Sequence, residues 1–304
     1  MLGKWVVAGG VACAVAIVGV IVLRPGAEAR STAAPSDPRL AAPSPSTPPS
    51  PPRADVDAAA GTFGVDLRSE PYRLHGDVLK PEGTGPFPAV VYNHGSEKDP
   101  GLDVFEQVGQ FFQAHGWVAF FPYRRGTKGS EGPYWKDAVD ARPEAERPEA
   151  VVAELEREND DVLAGIDWIA RQPYVDARRV AVAGCSFGGI HTVLAAERSQ
   201  AIYAAVDFAG ASMAWAESPP LQERMRRAVR AARVPVFFLQ AENDFDTTPS
   251  RALSDEMMIA GKPTQVKIFP PHGKTHMAGH AGFCTRGTGE WGDDVLAFLR
   301  ESMR

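Results

Sequence analysis

The sequence predicts an α/β architecture, a mostly parallel sheet covered by helices on both faces, and three observations point to it. From about Thr62 onward, short apolar runs rich in β-branched residues alternate with longer stretches of helical composition. The chain has 304 residues, enough for one large domain with a sizeable core. At Arg179 to Ala183 (RVAVA) a buried-strand pattern runs into the glycine-bounded turn Gly184-Cys185-Ser186-Phe187-Gly188, and a helix-forming stretch, Ile190 to Glu197, follows at once.

Taken in order, Pro88 to Tyr92 (PAVVY) reads as a buried strand, and Leu102 to His115 as an amphipathic helix closed by Gly116. Trp117 to Tyr123 is the next strand. Glu149 to Arg171 is a long helix with Val162, Ile166 and Ile169 on one face, and Val180 to Gly184 is the central strand. Further strands fit Tyr203 to Phe208, Pro235 to Gln240 and Gln265 to Phe269, before a final helix near Asp293 to Arg300. Ligands of such sheets gather at the carboxyl ends of the strands, which is where Ser186 would stand.

The fold begins only at about residue 61. Within residues 1–24, Trp5 to Leu23 carries no charge and is close to the length that spans a bilayer, so it reads as an export signal retained as a membrane anchor. Ala27-Glu28-Ala29 looks like a small-residue cleavage site, and cleavage there would release the chain instead. Residues 25–60 are rich in Pro, Ala and Ser with little to bury, an extended spacer holding the 61–304 domain away from the membrane and outside the cytoplasm.

Composition narrows the partners. The formal net charge is −6 and no basic stripe occurs, so nucleic acid is not an expected partner. No His/Cys/Asp/Glu set has metal-binding spacing, and neither metal nor cofactor is called for. Of the three cysteines, Cys13 lies in the apolar N-terminal run, and Cys185 and Cys284 read as two buried free thiols.

The chemistry centres on Ser186. In a strand–turn–helix the central Ser of G-x-S-x-G is lifted above the sheet edge, and the N–H of Phe187 at the helix N-terminus faces any developing oxyanion. A nucleophilic Ser needs a base, and the base needs an orienting carboxylate. The strand VPVFFLQ ends in Ala241-Glu242-Asn243-Asp244-Phe245-Asp246, which offers Asp244 or Asp246. After the last strand, Pro271 to Phe283 offers His276 and His280. The order is Ser, acid, His.

These features together resemble an α/β-hydrolase of the dienelactone hydrolase type. The resemblance is carried by VVYNHGS, FPYRRGTKGSEG, NDDVLAGIDWIARQPYVDARRVAVAGCSFGG, FFLQAENDFDTTP and AGHAGF, across about residues 62 to 304. It implies Ser186 as nucleophile, Asp244 as acid and His280 as base, with Asp246 and His276 as alternatives. It also implies an oxyanion hole from the N–H of Phe187 and an N–H of the Asn93-His94-Gly95-Ser96 loop, at Gly95 or Ser96. The chain departs from the family pattern in placing Ser at the elbow where close relatives of dienelactone hydrolase itself carry Cys, so the lactone substrate does not carry over. Thr247-Thr248-Pro249 also sits one residue farther from Asp244 than the usual spacing.

The expected function is hydrolysis of a small-molecule carboxylic ester, lactone or thioester through an acyl-enzyme. A serine peptidase of the prolyl-oligopeptidase type, or a non-catalytic membrane-tethered binding protein on the same scaffold, are the alternatives. Tyr134, Trp135, Trp215 and Phe245 are candidate pocket residues, Asp137 to Glu158 a candidate cap, and Arg142 to Arg157 a solvated helix face. His94 is expected to shape the oxyanion loop, His115 to sit at a helix end, and His75 and His191 to be structural.

Overall fold

The computed structural model describes residues 60–303. The predicted export segment and, apart from Ala60, the proline-rich spacer lie outside the described residues. No helix among the described residues is long and apolar enough to cross a membrane.

Eight strands form one sheet in the order β1-β2-β4-β3-β5-β6-β7-β8. They are β1 (Gly61–Ser69), β2 (Tyr72–Lys80), β3 (Phe87–Asn93), β4 (Val118–Pro122), β5 (Val175–Cys185), β6 (Ala204–Phe208), β7 (Val236–Ala241) and β8 (Thr264–Phe269). From β4 to β8 all pairs are parallel, whereas β1 and β2 form an antiparallel hairpin added to the β4 side. That hairpin is an element the sequence reading did not separate. Its signal is the alternation of Phe63, Val65 and Leu67, which turn inward while their neighbours face solvent.

The helices are α1 (Leu102–Ala114), α2 (Trp135–Asp140), α3 (Arg147–Ala170), α4 (Phe187–Arg198), α5 (Pro219–Ala231), α6 (Thr248–Ile259), α7 (Phe283–Arg286) and α8 (Thr288–Ser302). A two-residue period on β5 divides the core. Val180 and Val182 face the α3 and α4 layer, and Ala181, Ala183 and Cys185 face the α1 and α8 layer. The small alanines leave room there for Tyr92, Phe105, Phe208 and Trp291, whose rings meet edge-on or tilted.

The candidate cap is corrected by α3. Arg142 to Arg147 is exposed as expected, but Glu154, Leu155 and Glu158 are buried on α3, which continues inward through Val162 and Ile166, so the end of the segment is core helix and not a lid. Its apolar 3.6-residue stripe, with Ile169, is what seats it there.

Candidate active site

Ser186 follows the last residue of β5 and precedes α4, with φ 58° and ψ −116°, in a region that only a surrounding structure can impose on a residue with a Cβ. Its N–H donates to Phe208 O at 2.8 Å, and its carbonyl accepts from Gly189 and Ile190, so the turn is pinned on both sides. Glycine is needed at the flanks because backbone passes against backbone. A Cβ on Gly184 would lie 2.3 Å from Gly188 O, and one on Gly188 would lie 2.1 Å from Asn93 O.

The loop after β7 carries Asp244, whose carboxylate receives four donors. Ser212 Oγ donates to Oδ1 at 2.5 Å, Phe245 N to Oδ1 at 2.6 Å, Gln240 Nε2 to Oδ2 at 3.0 Å, and His280 Nδ1 to Oδ1 at 2.9 Å. A group that only accepts must be ionised to satisfy them. Burial alone would raise the Asp244 carboxyl, but the hydrogen bond and charge of His280, with Ser212 and Gln240, outweigh it and hold the acid below its ordinary value.

Since Asp244 only accepts, the proton on His280 sits at Nδ1, and the neutral ring has Nε2 free to accept. Nε2 is buried and has no hydrogen-bond partner among the described residues. The structure thus brings Asp244 and His280 together and leaves the alternatives elsewhere. Asp246 Oδ1 accepts from Thr248 N at 2.8 Å, holding the entry of α6. His276 is exposed, with Nδ1 3.1 Å from Asn243 O and its ring 5.6 Å from that of Phe245.

The loop at Gly95 and Ser96 is oriented from behind by a group the sequence reading missed. Arg124, at the end of β4, is buried and donates to His94 O at 2.9 Å and to Gly95 O at 2.6 Å. Peptide planarity then turns the N–H groups of Gly95 and Ser96 away from Arg124. Ser96 O in turn accepts from Tyr134 OH at 2.5 Å and Trp135 Nε1 at 3.3 Å. His94 donates from Nδ1 to Gly95 O at 3.0 Å, and burial and the Arg124 charge keep it neutral, well below its ordinary value.

Arg124 is neutralised by Glu158 at 3.0 Å, with both side chains 1% exposed, and Glu158 also meets His191 Nε2 at 3.3 Å. Burial would raise the Glu158 carboxyl, but the His191 hydrogen bond and the Arg124 charge hold it below its ordinary value. Burial and Arg124 push the His191 imidazole down to about 4. The ring of Phe187 lies over this group, 5.6 Å from the Arg124 guanidinium and stacked at 4.7 Å on Trp135. A helix-period reading of α3 could have flagged Glu158, because it falls on the stripe of Leu155 and Val162.

Two expectations are corrected. Cys185 and Cys284 are not free thiols but a disulfide, with Cα atoms 5.8 Å apart across a sequence separation of 99. Parallel strand order and the return of α7 beneath the sheet bring them together, which spacing alone does not reveal. Trp215 does not border the opening: it is 4% exposed, packed in the core with Arg226 over its ring. Phe245 is 42% exposed beside His280, with ring centres 5.6 Å apart.

One buried acid stands outside this constellation. Asp207 of β6 accepts from Gly210 N at 2.8 Å through Oδ1, while Oδ2 is buried without a partner among the described residues. Burial outweighs the Gly210 bond and pushes its carboxyl up to about 7. A raised acid stabilises the fold fully below its unfolded value and loses that contribution as pH rises toward and through 7. Asp207→Asn should therefore be more stable than wild type at pH 8, by about 2 kcal/mol against a ceiling of about 4 from the shift. Urea unfolding at pH 5 and pH 8 checks this, since the gain must shrink at the lower pH.

Solved structures share this architecture. The chain matches an acylaminoacyl peptidase of Pyrococcus horikoshii with TM-score 0.59 at 17% identity, covering 80% of this chain and 42% of that one. It therefore spans less than half the length of the peptidase. A Pyrococcus furiosus esterase matches with TM-score 0.59 at 15% identity, over 80% of this chain and 91% of that one. An alpha/beta hydrolase from Penicillium matches with TM-score 0.60 at 16% identity, over 80% and 99%. Identities this low speak for the fold alone. The model of the dienelactone hydrolase family matches residues 74–289, a span that contains the elbow, the acid loop and the histidine loop. With more than two thirds of its length matched, the chain belongs to the dienelactone hydrolase family.

Proposed function

We propose that the chain is a serine hydrolase of carboxylic esters, with Ser186 as nucleophile, His280 as base and Asp244 as the carboxylate that orients it. The observation that carries this reading is His280, which is bonded through Nδ1 to an ionised, four-donor Asp244 and whose buried Nε2 has no partner among the described residues. Ser186 Oγ attacks the ester carbonyl as Nε2 takes its proton. Asp244 stabilises the imidazolium that results. The tetrahedral oxyanion is received by the N–H of Phe187, at the start of α4, and by an N–H of Gly95 or Ser96. His280 returns the proton to the leaving alcohol, and water, activated by the same nitrogen, releases the acid.

The surroundings favour an apolar acyl or alcohol group. Phe245, Met213 and Met277 are exposed large apolar side chains on the loops that follow β7, β6 and β8. Ser212, beside Met213, bonds both Asp244 and the N–H of Asp246, which brackets Phe245. Met277 follows His276, whose ring lies against Phe245. We place this body outside the cytoplasm, because a buried disulfide is at home in an oxidising compartment and the apolar run at residues 5–23 supplies the export segment.

The test is labelling of the full chain by a fluorophosphonate, mapped by mass spectrometry, beside turnover of nitrophenyl esters and aminoacyl nitroanilides. Label at Ser186 with ester turnover is expected, rising from acetate to hexanoate. No label would sink the enzymatic reading in favour of a binding protein. Nitroanilide turnover exceeding ester turnover would replace the esterase with a peptidase.

A further inference from the structure

We propose that the Cys185–Cys284 disulfide positions the catalytic base, tying the loop that carries His280 to the residue beside Ser186. This rests on the reading of Ser186 and His280 given above. The need for such a tie comes from the strand order. Ser186 leaves the end of β5, whereas the histidine loop leaves β8, three strands away in the sheet and about 14 Å across it at ordinary strand spacing. The chain between Phe269 and Phe283 must recross that width if His280 is to serve Ser186. It does so with little regular structure, through the short π-helical turn Ala278–Gly282.

Two clamps hold this crossing. At the near end, Asn243 receives His272 N at 2.9 Å and donates to the carbonyls of His272 and Thr275, both at 3.0 Å. At the far end, Cys284 lies four residues beyond His280 and is bonded to Cys185, the residue before Ser186. The backbone there is also held by Tyr92 OH on Cys284 O at 3.1 Å. His280 sits between the clamps, and only the far one is covalent and reaches the nucleophile's own strand. Both sulfurs belong to buried residues, so the bond is a fixed strut within the protein and not a surface switch.

The experiment compares full-length wild type with Cys284→Ala and with Cys185→Ala/Cys284→Ala, at a temperature where circular dichroism shows native structure. The expected result is a fall in kcat of roughly 10²-fold with KM within about threefold, since a base displaced by about 1 Å costs turnover and not binding. The low-field proton resonance of the His280 Nδ1–H bonded to Asp244, identified by its loss in His280→Asn, should broaden or vanish in both variants. A purely stabilising bond would leave kcat and that resonance intact in the folded variants, and such a result overturns the proposal. So does a failure of both variants to fold, which would make the disulfide a requirement of the whole fold. Wild-type turnover separates the two readings: without it the esterase reading falls first, and with it the variants judge the disulfide alone.

Discussion

Ser186→Ala should lower ester turnover by at least about 10⁴-fold, leaving only what the oxyanion donors and binding supply. The change removes one oxygen and keeps the Cβ, so the backbone at φ 58° is as constrained as before and stability should hardly move. Ser186→Gly should be equally inactive but more stable by about 1–2 kcal/mol, because glycine adopts positive φ without the Cβ penalty. The pair separates chemistry from conformation. His280→Ala should approach the loss of Ser186→Ala, and the double variant should lose little more, since residues acting as one unit do not add. Nitrophenyl acetate turnover and urea unfolding of the variants check these outcomes. Retained turnover in Ser186→Ala would mean that the elbow is only a turn.

Arg124→Met should destabilise the protein by about 3–5 kcal/mol, because it strands the Glu158 carboxylate in a buried site with only His191 beside it. The same change frees the carbonyls of His94 and Gly95, so the peptide planes that aim the Gly95 and Ser96 N–H groups lose their anchor. Turnover should fall by about 10- to 10²-fold in the surviving folded fraction, as when an oxyanion donor is loosened. Replacing both members, Arg124→Met with Glu158→Leu, should recover most of the stability but not the turnover, because the apolar pair cannot hold the carbonyls. The pH dependence has a definite sign. Glu158 has a depressed acid, so its contribution is present above the unfolded value and is lost as pH falls through the folded one. His191, held neutral down to about 4, adds a further loss as pH drops below about 6.5. The double variant keeps His191 buried, so the loss between about pH 6.5 and 4 should remain, whereas the further loss below pH 4.5 that belongs to Glu158 should be absent, and acid titration of unfolding free energy separates the two.

Much of this fold was legible because one-dimensional signals matched local physics. Ala89 to Tyr92 and Val180 to Ala183 are buried on both faces, as central parallel strands require, and the predicted strands lie within one residue of their places at both ends except β5, which begins five residues earlier at Val175. The hairpin of β1 and β2 was harder, since its strands are half-solvated and its register depends on a partner, β4, that follows in sequence. At the candidate site, Ser186 was marked by its glycine spacing, and chain order led to the loop of His276 and His280, between which the family resemblance chose His280. Asp244 is separated from Asp246 only by the donors that converge on it from Ser212, Gln240, Phe245 and His280, and these come from three separate parts of the chain. The Arg124–Glu158 pair and the disulfide are contacts over 34 and 99 residues of chain, which composition does not encode.

The contact of Gly184 with Gly188, and of Gly188 with Asn93, has a practical meaning for anyone who would redesign this protein. At that junction backbone lies on backbone, and no side chain is available to exchange for another. A mutant library aimed at it samples damage and nothing else. The loops bearing Met213, Phe245 and Met277 are the opposite case, because their tips are solvent-facing and carry no part of the sheet's register. Under the proposed esterase reading, substitutions of those three side chains alone would vary the size and polarity of what the protein accepts, with Asp244 and His280 on the same loops left unchanged.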